Sequence, residues 1–208
     1  MGFSLKSDKI ISILFHPVFI PVYGLALILS ANTPFGYLPY QVKRLLFLII
    51  VVNNVLLPLS LLPILRHMNF ISSYSMDEKE ERMVPLVVAS ILYAVTSYII
   101  FRFPVPGFLK SFILSVFLVS VILTIINFRW KISLHSTGIG AMIALIMFLA
   151  FRLYSPLFWY LVFVAVAGGF VLSSRLRLMI HTPRQVWYGC SLGFVSTTFF
   201  LLFFQKFV

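Results

Sequence analysis

Apolar residues in this chain fall into seven long runs, and most polar residues are confined to the short stretches between them. The runs lie at about residues 10–31, 45–65, 84–102, 107–127, 136–154, 156–173 and 184–206. Each can cross the hydrocarbon core of a bilayer, which takes roughly 20 helical residues at about 1.5 Å rise each. Lipid offers no partner to an unpaired backbone N–H or C=O, so every run is predicted to be a helix. The expected fold is all-α: a polytopic transmembrane helical bundle of about six to seven spans, forming a single integral membrane domain over residues 1–208. Pro104-Val-Pro106-Gly107 and Ser155-Pro156 predict two tight turns. Lys6 and Lys9 precede the first run as in a secretory signal, but the run is too long for one, so a retained helix is expected. Pro17 and Pro21 interrupt it and predict a kinked or partly re-entrant helix.

Composition agrees with this pattern, with 61% hydrophobic and 10% charged residues. A net charge of +11 raises the question of nucleic acid, yet the basic residues sit at the ends of apolar runs and form no stripe on a soluble face. The partner expected from these positions is the lipid bilayer, with no nucleic acid. Lys43, Arg44, Arg102, Lys110, Arg152 and Lys206 read as headgroup anchors. Cys190 is the only cysteine, which excludes an intrachain disulfide and a multi-cysteine metal site. It lies in an apolar run and reads as an inert packed thiol.

The five carboxylates are Asp8, Asp77, Glu78, Glu80 and Glu81, with none beyond residue 81. Paired acidic clusters for magnesium diphosphate chemistry are therefore missing, and acids for proton-coupled transport are absent from the later spans. The histidines at 16, 67, 135 and 181 show no His-x3-His spacing, so no metal and no other cofactor is expected. His16 and His67 read as interfacial or packing residues, and glycines 138, 140, 168 and 169 as points of close helix approach.

If all seven runs cross, three loops lie on one side: that with Lys79 and Arg82, that with Arg129, Lys131 and His135, and that with Arg175, Arg177, His181 and Arg184. Each leads into a helix start. Pro85 follows Arg82, Ser136 is the expected cap after His135, and Thr182 is the expected cap after His181, with Pro183 at the first helical position. A helix start offers unpaired N–H groups and about half a positive charge, which suits an anion. Three such starts with fixed cations predict a phosphate-sized pocket at the membrane surface. Anchoring to headgroups explains any single arginine, but it does not call for two histidines beside helix starts.

Ser174-Arg175, five residues and then His181 resembles the third signature of the type 2 phosphatidic acid phosphatase family, S-R-x5-H-x3-D. Lys131-Ile-Ser133-Leu-His135 is similar to the second, P-S-G-H, with Ile132 and Leu134 in place of proline and glycine. Lys79 with Arg82-Met-Val-Pro85 is a loose echo of the first, K-x6-R-P. The resemblance covers mainly residues 129–195. It implies a metal-independent lipid phosphatase in which His181 attacks phosphorus and His135 protonates the leaving oxygen and then activates water. Arg175 and Arg82, with Lys79 or Lys131, would hold the phosphoryl oxygens, and Ser133 would add a neutral hydrogen bond. Arg177 either lines the pocket or meets headgroups, and Arg184 reads as an anchor. The implied partner is a membrane lipid phosphate: a polyprenyl diphosphate, a phosphatidate-type lipid or a phosphorylated glycolipid.

One departure bears on turnover, because Gln185 stands where the family has aspartate. Glutamine can orient the imidazole but brings no full charge. Either Glu78 or Glu81 supplies the missing carboxylate, or the chain binds a lipid phosphate, or serves in membrane assembly, without hydrolysing it. The motif-side loops carry 10 of the 16 lysines and arginines, which points to the cytoplasm. Setting aside four proposed phosphate ligands leaves 6 against 6, and the family resemblance implies an outward-facing site in the plasma (inner) membrane.

Overall fold

The computed structural model describes residues 2–74, 76 and 78–204, with side chains from residue 6 onward. Among these residues the chain is helical with no strand: α1 (Gly2–Leu14), α2 (Ile20–Ser30), α3 (Tyr40–Val51), α4 (Leu57–His67), α5 (Met83–Phe101), α6 (Gly107–Arg129), α7 (Leu134–Arg152), α8 (Phe158–Arg177) and α9 (Pro183–Phe204). Seven helical stretches are long and apolar enough to cross a membrane, and they coincide with the seven apolar runs. This is the fold of an integral membrane protein. On α8, Trp159, Phe163, Val166 and Phe170 stand exposed at helical spacing while Ala167, Val171 and Ser174 are buried. Its outer face is thus the more apolar, as a lipid-facing surface requires.

Two proline breaks shape the helices. Ahead of Pro17, His16 is pushed out of the helical region to φ −62° and ψ 137°, and a short 3₁₀ turn, Pro17–Phe19, separates α1 from α2. His16 Nδ1 accepts the Val18 N–H at 3.3 Å, and the Tyr23 hydroxyl donates to the Leu14 carbonyl at 2.7 Å, so the break satisfies part of its own backbone. The expected kink is present. The second break is absent from the sequence reading of residues 45–65 as one uninterrupted run. Pro58 would press its ring on the carbonyl of Asn54 and donate nothing to it. The helix instead widens into a π turn at Val52–Leu56, where the Leu57 N–H reaches the Val52 carbonyl five residues back.

The chain falls into two compact units, residues 1–37 with 132–199, and residues 38–131 with 200–208. In the first, α7 packs on α8, α1 on α8, and α2 on α7. Backbones of α7 and α9 nearly touch: a Cβ at Gly140 would lie 2.0 Å from the Cys190 carbonyl oxygen, and one at Gly193 equally close to that of Thr137. Small residues permit such an approach where lipid supplies no hydrophobic drive between helices. Gly138 and Gly168 meet Ile20 and Ile139 side chains, as expected of packing glycines. Gly169 is the exception, with nothing within 4 Å of where its Cβ would be.

In the second unit α5 and α6 form a hairpin through the Pro104–Pro106 turn, and the α3–α4 helix packs beside α5. Polar pairs hold it: the Thr96 hydroxyl donates to Asn54 Oδ1 at 2.7 Å, and Ser90 and Thr124 hydroxyls meet at 3.1 Å. Helix α4 ends on Asn69 in the left-handed region at φ 60°, with Phe70 N–H bonded to the Leu65 carbonyl and Asn69 N–H to that of Arg66. Asparagine tolerates this closing turn better than most residues.

Candidate active site

The first unit gathers the ends of α7, α8 and α9. Helix α8 finishes at Arg177, and the chain leaves it through Met179 at φ 55°, whose N–H bonds the Leu176 carbonyl. A side chain in that region costs about 1–2 kcal/mol. The turn sets His181, 7% exposed, just before α9.

Helix α9 starts with a reciprocal cap. Thr182 Oγ1 accepts the Gln185 N–H at 3.4 Å, and Gln185 Oε1 accepts the Thr182 N–H at 3.1 Å. This is the capping box, with glutamine at its third helical position. The same Oε1 lies 3.1 Å from His181 Nδ1. A backbone N–H can only donate, so the amide atom facing it is oxygen. That oxygen can only accept, so His181 Nδ1 carries a proton and, in the neutral ring, Nε2 holds the lone pair. Gln185 therefore fixes the tautomer without adding charge.

Helix α7 starts beside it. Ser133, not the expected Ser136, is the cap, because Ser133 is the residue in extended conformation and its Oγ accepts the Ser136 N–H at 3.4 Å and the Ser136 hydroxyl at 2.8 Å. The Ser133 N–H donates to the Gln185 carbonyl at 3.3 Å, which ties the two helix starts together. Ser133 is fully buried, so its hydroxyl, expected on the phosphate, serves the helix.

Helix α1 supplies what the signatures do not contain. The Ser12 carbonyl lies 3.0 Å from His135 Nε2, and Ser12 Oγ, itself donating to the Asp8 carbonyl at 2.9 Å, accepts from Arg175 Nη1 at 3.0 Å. The His16 ring stands edge to face on His135 with centroids 5.4 Å apart. His16 thus packs, and its packing partner is His135. His135 is also within electrostatic reach of Arg175 and His181. Arg177 meets Asp8, with Nε 2.9 Å from Oδ2, so this part of the positive stretch is answered by the chain's own acid. Asp8 is 1% exposed.

Asp8 is the carboxylate that the first unit brings to this turn, while Glu78 and Glu81 belong to the second unit. Glu78 is exposed, and Asp77 lies outside the described residues. Glu81 accepts the Ser72 N–H at 2.9 Å, and this hydrogen bonding holds its carboxyl below the usual range. The signal for the α1 residues was available: Asp8, Ser12 and His16 recur every four residues on one helical face. More than a hundred residues separate them from the second and third signatures, so no local motif joins them.

Lys79, Arg82 and Lys131 belong to the second unit. Lys79 pairs with Glu80 at 3.5 Å, and its carbonyl accepts from Asn127 Nδ2. Arg82 is buried, with Nε donating to the Met76 carbonyl at 2.6 Å. Lys131 is half-buried in the link between α6 and α7. Among the described residues no group of three histidine, cysteine or acidic side chains is placed to hold a metal ion.

The first unit assembles an imidazole with its proton on Nδ1, a second imidazole, a guanidinium and two helix starts tied together by one hydrogen bond. No family model, curated protein or solved structure matches the chain.

Proposed function

We propose that the protein is a metal-independent membrane phosphatase that hydrolyses a lipid phosphomonoester or diphosphate through a phosphohistidine on His181. The observation that carries this reading is the assignment of Gln185 Oε1 by the Thr182 N–H, which leaves His181 Nε2 with its lone pair. Arg175, in the same unit, neutralises charge developing on the phosphoryl oxygens, and the N–H groups at the starts of α7 and α9 add donors. His135 exchanges the proton with the leaving oxygen and with water. Arg82, Lys79 and Lys131 remain further phosphate ligands by family resemblance. The substrate is a polyprenyl diphosphate, a phosphatidate-type lipid or a phosphorylated glycolipid, met at the outward surface of the plasma (inner) membrane.

A second reading has one specific observation behind it: Arg175 and Arg177 take acceptors from α1. In that case the cluster is a lipid-phosphate binding or assembly site without turnover. Phosphate release from a panel of lipid phosphates and diphosphates, by purified protein in detergent with EDTA, separates the two. Release that survives chelation and vanishes in His181→Ala is the expected result. Binding of the same lipids with no release from any of them overturns the enzymatic reading.

A further inference from the structure

The family signatures say nothing of the segment before α2, yet three of its residues touch the site, and two of them bear on the ring of His135. A carbonyl oxygen can only accept, so the contact between the Ser12 carbonyl and His135 Nε2 requires the proton to be on Nε2. Nδ1 then keeps the lone pair. His16 is fixed in the same manner, since its Nδ1 accepts the Val18 N–H and its own proton therefore sits on Nε2. The broken helix makes both contacts possible. Pro17 forces His16 out of α1, which turns its ring onto His135 at an interplanar angle of 88°.

We propose that Ser12 and His16 are positioning residues for His135, the Ser12 carbonyl holding its Nε2–H and the His16 ring bracing it edge to face, so that Nδ1 is the proton-exchanging atom. The catalytic consequence rests on the phosphatase reading; the ring's tautomer does not. In the first step His181 Nε2 forms a bond to phosphorus as the bond to the leaving oxygen breaks, and Nδ1–H of protonated His135 gives that oxygen its proton. In the second, water attacks phosphorus, its proton passes to Nδ1 and the phosphorus–nitrogen bond breaks, which restores both rings. Through both steps the Nε2 proton stays on its nitrogen, donated to the Ser12 carbonyl, so the ring need not turn over between acid and base roles. Edge-to-face packing of the two rings favours one orientation of His135 over the flipped one.

The test is ring ¹⁵N spectroscopy of histidine-labelled protein in lipid nanodiscs, with His135 assigned by the signals lost in His135→Gln. The expected spectrum of neutral His135 has Nε2 protonated and Nδ1 bare, with mixed tautomers in His16→Ala and the single tautomer restored in His16→Phe. A His135 protonated on Nδ1 in the parent, or one unchanged in His16→Ala, overturns the proposal. If lipid phosphate is hydrolysed, His16→Ala lowers kcat at least tenfold with KM nearly unchanged and shifts the pH profile, and His16→Phe recovers most of the rate. Absence of hydrolysis refutes the phosphatase reading alone, because the spectra decide the tautomer in either case. Hydrolysis with His16→Ala at parent kcat and the parent pH profile refutes the positioning role of His16.

Discussion

Replacing Gln185 isolates the tautomer argument, because its Oε1 serves both the Thr182 N–H and the His181 ring. Gln185→Leu removes both contacts. Thr182 Oγ1 still accepts the backbone N–H of residue 185, so only the glutamine half of the capping box is lost, at about 1 kcal/mol of stability. Loss of one net hydrogen bond of about 1 kcal/mol to the ring reduces the bias between its tautomers about fivefold, and the rate of phosphate release falls by up to that factor. Gln185→Glu keeps the length of the side chain and the capping box. Hydrogen bonds to a charged group contribute about 1.5–3 kcal/mol, so the ring gains about 1 kcal/mol over the amide and release rises about fivefold. A carboxylate at a helix start adds roughly 0.3–1 kcal/mol of stability. In a serine protease triad the change from aspartate to asparagine costs about ten-thousand-fold because the amide leaves the wrong tautomer. Here the Thr182 N–H holds the amide in the useful orientation, so on the proposed phosphatase reading the departure from aspartate predicts slow turnover rather than none. The assay is single-turnover phosphate release at saturating lipid phosphate, beside thermal unfolding of each variant. Parent rates in both Gln185→Leu and Gln185→Glu would refute the role given to His181.

Four further outcomes follow from the packing and the caps. Met179→Gly relieves the left-handed strain before His181 and raises the unfolding midpoint by an amount corresponding to about 1 kcal/mol. Its failure to do so in thermal unfolding would mean that the turn relaxes in solution. Ser133→Ala removes the α7 cap and lowers stability by about 1 kcal/mol in denaturant titration, whereas Ser136→Ala, on the donating side of that pair, costs less. A double-mutant cycle of Asn54→Leu and Thr96→Val gives a coupling of about 0.6 kcal/mol, the usual size of an interhelical hydrogen bond in a membrane protein. Gly193→Ala places a Cβ against the Thr137 carbonyl and forces α7 and α9 apart, with folded yield in detergent falling sharply; Gly169→Ala, which meets nothing, leaves yield unchanged.

The sequence by itself determined the membrane fold and the positions of the seven spans, because bilayer thickness and the need to pair every backbone group leave a long apolar run one solution. It also marked the break at Pro17 and the capping threonine at residue 182, since proline geometry and cap chemistry act within a few residues. The π turn was out of reach. Pro58 in an apolar run announces a local fault, but a kink, a wide turn and a broken hydrogen bond all relieve it, and neighbouring helices select among them. Likewise Ser133 and Ser136 are both plausible caps until the backbone angle of Ser133 chooses one.

The site was legible only on the helices whose motifs are contiguous. His135, Arg175, His181 and Gln185 could be named from the resemblance of contiguous motifs to family signatures, whereas Asp8, Ser12 and His16 show only a four-residue recurrence, because the contact that gives each a role closes a loop of more than a hundred residues. Charge counting alone assigned the arginines around residue 175 to an absent anion. Tertiary packing of α1 on α8 brought Asp8 to Arg177 and Ser12 to Arg175, since a buried charge, the Asp8 carboxylate in one pair and the Arg175 guanidinium in the other, needs a polar partner the fold can offer.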